Sequence, residues 1–155
     1  MHYAASASLQ LLGFFYSDWA GDPTDKKSTL GFVFILYEGQ IFWSIKKHHT
    51  ISLSSAVAEY REAVNVATQC VWLQRILREF GVAIDSPTNI WVENKSSIKI
   101  YTYQVQRQIK NHIEIYMHYI WGLVHERIIS LQYCPSTKQT ADIFTKTFTE
   151  KTFTH

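Results

Sequence analysis

The first eighty residues hold three strand-like runs followed by one long helical pattern, and that order most narrows the folds open to this chain. Residues 9–17 are apolar and aromatic with few breaks, which suits a buried strand. A turn-rich loop with Gly21, Asp22, Pro23 and Asp25 follows. Residues 28–37 read as a second strand around Phe32, Val33, Phe34, Ile35 and Leu36. Glu38 and Gly39 make a tight turn, so the third strand, 40–46, should fold back as an antiparallel hairpin. Ser54 or Ser55 can cap a helix by accepting a backbone N–H. That helix runs to about Phe80 and stops at Gly81, a residue suited to a left-handed C-terminus. Ala63, Val66, Ala67, Cys70, Leu73 and Leu77 form its apolar stripe, spaced three and four apart. Arg61, Glu62, Arg75, Arg78 and Glu79 are expected to be solvated.

The remainder alternates. Residues 89–93 read as a strand, Asn94 to about Tyr103 as a short helix, 104–110 as a polar, basic connection, and 112–126 as an amphipathic helix. Residues 128–134 are a fifth strand closed by Pro135, and Thr140 caps a last short helix through 141–146. The order β-β-β-α-β-α-α-β-α predicts a mixed α/β fold, a five-stranded sheet with helices on its faces. The first and fourth strands can be parallel neighbours joined through a right-handed crossover. One domain over 9–148 is expected, with a frayed lead-in or stump at 1–8 and a loose tail at 149–155.

A formal charge of +2 gives no electrostatic argument for nucleic-acid binding. Cys70 and Cys134 lie far apart without metal-ligand spacing, so both are expected to be reduced and buried. No apolar run is long enough to span a bilayer, and the opening residues lack a basic n-region. An intracellular chain is expected, cytoplasmic or nuclear.

Asp18, Glu59, Glu93 and Asp142 fall in four different elements: the end of the first strand, the long helix, the fourth strand and the last helix. Acidic groups near the ends of parallel neighbours, with others from helix starts, can face one point. Carboxylate oxygens are what hard cations such as Mg²⁺ prefer, and two ions about 4 Å apart can hold both oxygens of a phosphodiester displacement. Each acid also has a plain structural reading: Asp18 a turn residue, Glu59 an exposed helix acid, Glu93 a strand-end acid, Asp142 a helix-start acid favoured by the dipole. His48 and His49 read as solvated, and Trp43, Trp72, Trp91 and Trp121 as core.

Segments 9–14, 17–22, 27–34, 44–47, 53–60, 93–98, 112–115 and 141–146 together resemble the ribonuclease H domain of copia-type LTR retrotransposon Pol polyproteins. Among their motifs are Asp18-Trp19-Ala20-Gly21, Ala58-Glu59-Tyr60, Glu93-Asn94-Lys95-Ser96 and Ala141-Asp142-Ile143-Phe144. The resemblance implies an RNase H-like fold and cleavage of the RNA strand of RNA–DNA hybrids. It implies Mg²⁺, with Mn²⁺ as an alternative, held by Asp18, Glu59, Glu93 and Asp142 as catalytic and metal-binding residues. His112, Lys110 and Arg107 stand as substrate contacts, although His112 equally reads as a helix-terminal residue and the 107–110 stretch as a solvated loop. An upstream reverse transcriptase domain of the same polyprotein is the implied partner beside the hybrid.

One position departs from the pattern. The family's first strand ends Ser-Asp-x-Asp-Trp-Ala-Gly. Without gaps, Tyr16 takes the place of its first, metal-bridging Asp, and Asp18 that of the second. A gapped alignment would move Asp18 into the first place but must break the match at Trp19-Ala20-Gly21 or shift the strand, so the ungapped one is preferred. A neutral phenol cannot replace a carboxylate. Glu93 is one methylene longer than the family's Asp. Val57, Asn111, Tyr116 and Gly122 also depart from the usual residues, a pattern of decay in an unselected copy. Two functions follow: an impaired RNase H-type hydrolase, or a catalytically silent remnant that at most binds nucleic acid.

Overall fold

The computed structural model describes residues 10–18, 28–37, 39–48, 55–103 and 111–135. Eight elements follow in order: β1 (Leu11–Asp18), β2 (Ser28–Leu36), β3 (Gly39–His48), α1 (Ser55–Glu79), β4 (Thr88–Val92), α2 (Lys95–Thr102), α3 (Asn111–His125) and β5 (Ile129–Tyr133). The five strands make one sheet in the order β3-β2-β1-β4-β5. β1 and β4 are parallel neighbours, β4 and β5 are parallel, and β1–β2 and β2–β3 are antiparallel. This is the mixed α/β sheet expected from the element order. The last helix expected over 141–146, the lead-in and the tail lie outside the described residues.

Period-two alternation divides the sheet into two faces. Leu11, Phe15, Leu30, Phe32, Phe34, Ile90, Val92 and Ile129 face the core. Val66, Ala67, Cys70, Leu73 and Leu77 of α1, Tyr101 of α2, and Ile120 and Leu123 of α3 pack against them. The predicted α1 stripe is therefore the packed one. Gly13 sits in the same row as Phe34 and Ile90. A Cβ there would lie 2.8 Å from Phe34 Cε1 and 3.3 Å from Ile90 Cγ1, so the chain's close approach requires glycine. On the opposite face, buried Tyr16 and Val33 form a second cluster with Phe14 and Ile35.

α1 ends as expected. Gly81 has φ +80°, the N–H of Val82 donates to the carbonyl of Leu77, and that of Gly81 to Arg78, a Schellman closure. Gln74, 2% exposed, donates from Nε2 to Thr88 Oγ1 at 2.7 Å and to the Ile128 carbonyl at 3.0 Å, pinning α1 to the starts of β4 and β5. Both cysteines are free and buried, as expected.

Three expectations need correction. The hairpin turns one residue earlier than Glu38-Gly39: Gly39 already pairs with Leu36, and Tyr37 takes the left-handed conformation at φ 61°. Glu62 is 5% exposed rather than solvated, because it lies four residues before Val66 on the packed stripe. Trp43 and Trp72 are about half exposed rather than core: Trp43 alternates with inward-packed Phe42 on edge strand β3, and Trp72, on α1, meets only the rim of the core at Phe42.

Candidate active site

The register places the candidate residues. β1 and β4 run side by side, with Phe14 beside Trp91 and Phe15 beside Val92. The ladder ends there, and Tyr16 and Glu93 each lie one position beyond that last pair. Asp18 closes β1 two residues beyond Tyr16, about 6–7 Å further along the backbone. β3 runs parallel to β1 and ends at this same edge of the sheet. α1 begins seven residues after β3 ends and runs back towards the start of β4, so Glu59, in its second turn, belongs to that end too. α3 likewise leads back to the start of β5, which puts His112 at the same end. Asp142, Lys110 and Arg107 lie outside the described residues.

Glu93 is half-buried just before α2. Asn94 caps that helix, with its Oδ1 accepting from the Ser97 N–H at 3.4 Å, so a helix N-terminus opens one residue from Glu93. Lys95 Nζ stands 4.3 Å from the centroid of the Tyr133 ring at the end of β5. Glu62 is a buried carboxylate three residues beyond Glu59, and its Oε2 accepts from Asn65 Nδ2 at 3.3 Å. Sequence reading passed it over; carrying the α1 stripe one turn back from Val66 would have found it.

Position 16 decides what this end of the sheet can hold. The Tyr16 side chain is 7% exposed and clusters with fully buried Val33. Its ladder partner is Gly31, which offers no side chain. A ring in an apolar seat supplies no oxygen anion to a cation. Among the described residues no group of three or more His, Cys, Asp or Glu gathers to hold a metal ion. At position 16 the described side chain does not fit the two-ion arrangement that the resemblance implies.

The chain is 30% identical over 146 residues to the Retrovirus-related Pol polyprotein from transposon RE1 of Arabidopsis thaliana, covering 94% of the chain and 10% of that protein. Among solved structures it is similar to the N-terminal RNase H domain of a Mycobacterium tuberculosis protein, with a TM-score of 0.61 and 14% identity over 89% of this chain and 91% of that one. It is also similar to LC11-RNase H1 in complex with an RNA/DNA hybrid, with a TM-score of 0.58 and 14% identity over 86% and 92%. The chain is homologous to copia-type Pol polyproteins and has the ribonuclease H fold. No family model matches it. The homology covers a small part of the Pol polyprotein, and the likeness to the solved structures is one of fold. Within this fold, β1 and β4 are parallel neighbours, Tyr16 lies two residues before the end of β1, and Glu93 directly follows the last residue of β4.

Proposed function

We propose that this chain is a retrotransposon-derived RNase H domain, descended from an enzyme that hydrolysed the RNA strand of RNA–DNA hybrids with divalent metal, and that its own cleavage is severely reduced. The burial of Tyr16, two residues before the end of β1, carries this reading. The ancestral site would have drawn on Asp18, Glu59, Glu93 and Asp142 with Mg²⁺ or Mn²⁺. Removing one member of a set that acts as a unit removes most of the rate. His112, Lys110 and Arg107 are proposed to touch the hybrid, and a reverse transcriptase segment of the same polyprotein is the proposed partner. The free, buried thiols fit a reducing compartment, cytoplasm or nucleus. No helix among the described residues is long and apolar enough to cross a membrane.

The test is cleavage of an end-labelled RNA–DNA hybrid by the purified chain in Mg²⁺ and in Mn²⁺. A rate more than about a hundredfold below that of an intact homologue is expected. Cleavage at the homologue's rate ends this reading. Hybrid retained on a filter without being cut selects the silent, binding remnant instead.

A further inference from the structure

Ladder partners on neighbouring strands project to the same face of a sheet. Val33 pairs with Trp43 on one side and with Phe14 on the other. Trp43 is 58% exposed, yet Val33 is 0% and Tyr16, two residues beyond Phe14, is 7%. Side chains stand roughly perpendicular to a sheet, so row neighbours shield their flanks and leave their tips to water. The described helices do not cover these tips, because α1, α2 and α3 give their buried side chains to the opposite face. Val33 and Tyr16 cluster with Phe14 and Ile35, which are strand residues too.

We propose that residues 136–155 of this same chain lie over β1 and β2, stop short of β3, and take the Tyr16 ring as part of their seat. Segments 49–54 and 104–110 lead to α1 and α3, on the other face. Segment 1–9 enters at the start of β1, the end of the strand away from Tyr16. Segment 19–27 carries one large apolar side chain, Trp19, among polar residues, glycine and proline. Residues 136–155 hold Ala141, Phe144 and Phe148, spaced three and four apart as one helical stripe. β5 runs parallel to β4 and β1, so the chain leaves it at the Tyr16 end of the sheet. In the order β2-β1-β4-β5, β2 lies three strand spacings from β5, about 14 Å. Residues 136–140 span about 17 Å when extended, enough to bring the stripe over β1 and β2. A tyrosine ring suits such a seat, whereas a carboxylate there would have to be desolvated. The docking does not depend on whether the chain cuts RNA.

Maleimide labelling of the whole chain, read peptide by peptide, tests this. Val33→Cys should react at least about a hundredfold more slowly than Trp43→Cys. Adding Phe144→Lys with Phe148→Lys should speed it at least about tenfold, while Cys70, in the helix-side core, stays unlabelled. Tyr16→Asp should speed it as well, and Tyr16→Phe should leave it unchanged. With p-benzoylphenylalanine in place of Phe14, irradiation should cross-link a peptide within 136–155. Equal labelling at 33 and 43, protection that survives the Lys pair or Tyr16→Asp, or a cross-link to 1–9 or 19–27 overturns the proposal. Where the Lys pair exposes Cys70 too, the cross-link decides: a peptide within 136–155 supports the seat and any other overturns it.

Discussion

The two faces of the central strand β1 differ in kind. Leu11, Gly13 and Phe15 meet the helices in a core where strand and helix residues are closely matched. Tyr16, on the other face, sits with Val33 beside Phe14 and Ile35, at the position where the proposed ancestral site would have had a carboxylate. The helix-side core rests on many contacts, each a fraction of the total, so it tolerates drift. A cation site rests on a few charged atoms, and one replaced residue removes the geometry. Under the proposed function a ribonuclease H fold outlasts its chemistry, and the parting falls between adjacent residues of one strand, Phe15 and Tyr16.

The comparison breaks if the two faces respond alike to substitution. On stability, the largest effect is expected at Phe34, fully buried and edge-on to Phe32 at 5.9 Å. Phe34→Ala should cost about 3–5 kcal/mol in denaturant unfolding, whereas Tyr16→Phe should cost less than about 1.5 kcal/mol. Equal costs would make the Tyr16 seat as structural as the core.

Two glycines sharpen the same contrast. Gly13→Ala forces a Cβ to 2.8 Å from Phe34 Cε1 and should destabilise by about 1–3 kcal/mol. Gly122 in α3 has nothing within 4 Å of an added Cβ, so Gly122→Ala should stabilise by up to about 1 kcal/mol. Thermal melts of both variants, moving in opposite directions, would separate a glycine needed by packing from one that packing does not need.

The smallest effect under ordinary conditions is the pH response of the core. Burial pushes the Cys70 thiol up to about 12 from 9.0, partly offset by its hydrogen bond with Thr88. Below the unfolded thiol's pKa both states are neutral and the contribution is complete. Between about 9 and 12 only the unfolded chain ionises, so stability falls as pH rises. Denaturant midpoints from pH 8 to 11 should decline more steeply for the wild type than for Cys70→Ala.

Much of this fold was legible because strands and helices announce themselves by period. The expected bounds of all eight described elements fall within two residues of those observed. The parallel pairing of β1 with β4 followed from connection rules. What the sequence concealed was tertiary. That β3 is an edge depends on which strands pair, and the exposure of Trp43 on β3 and of Trp72 on α1 above it shows only once the layers are assembled. Glu62 looked solvated because its charge outweighed its place on the α1 stripe. Tyr37 entered the left-handed region, although Gly39 was the residue better suited to it, because strand pairing fixed the register. The candidate site was read as four acids on four elements, of which Asp142 lies outside the described residues. The burial of Tyr16 among apolar neighbours was not legible, since a tyrosine at a strand end can as well point a hydroxyl to water.

The most direct measurement is the rate of RNA cleavage in a labelled RNA–DNA hybrid, with Mg²⁺, by the wild-type chain and by Tyr16→Asp side by side. Our account predicts that the Asp protein cuts at least about a hundredfold faster, although it is less stable for carrying a carboxylate where a ring was buried. Equal rates for the two proteins contradict it.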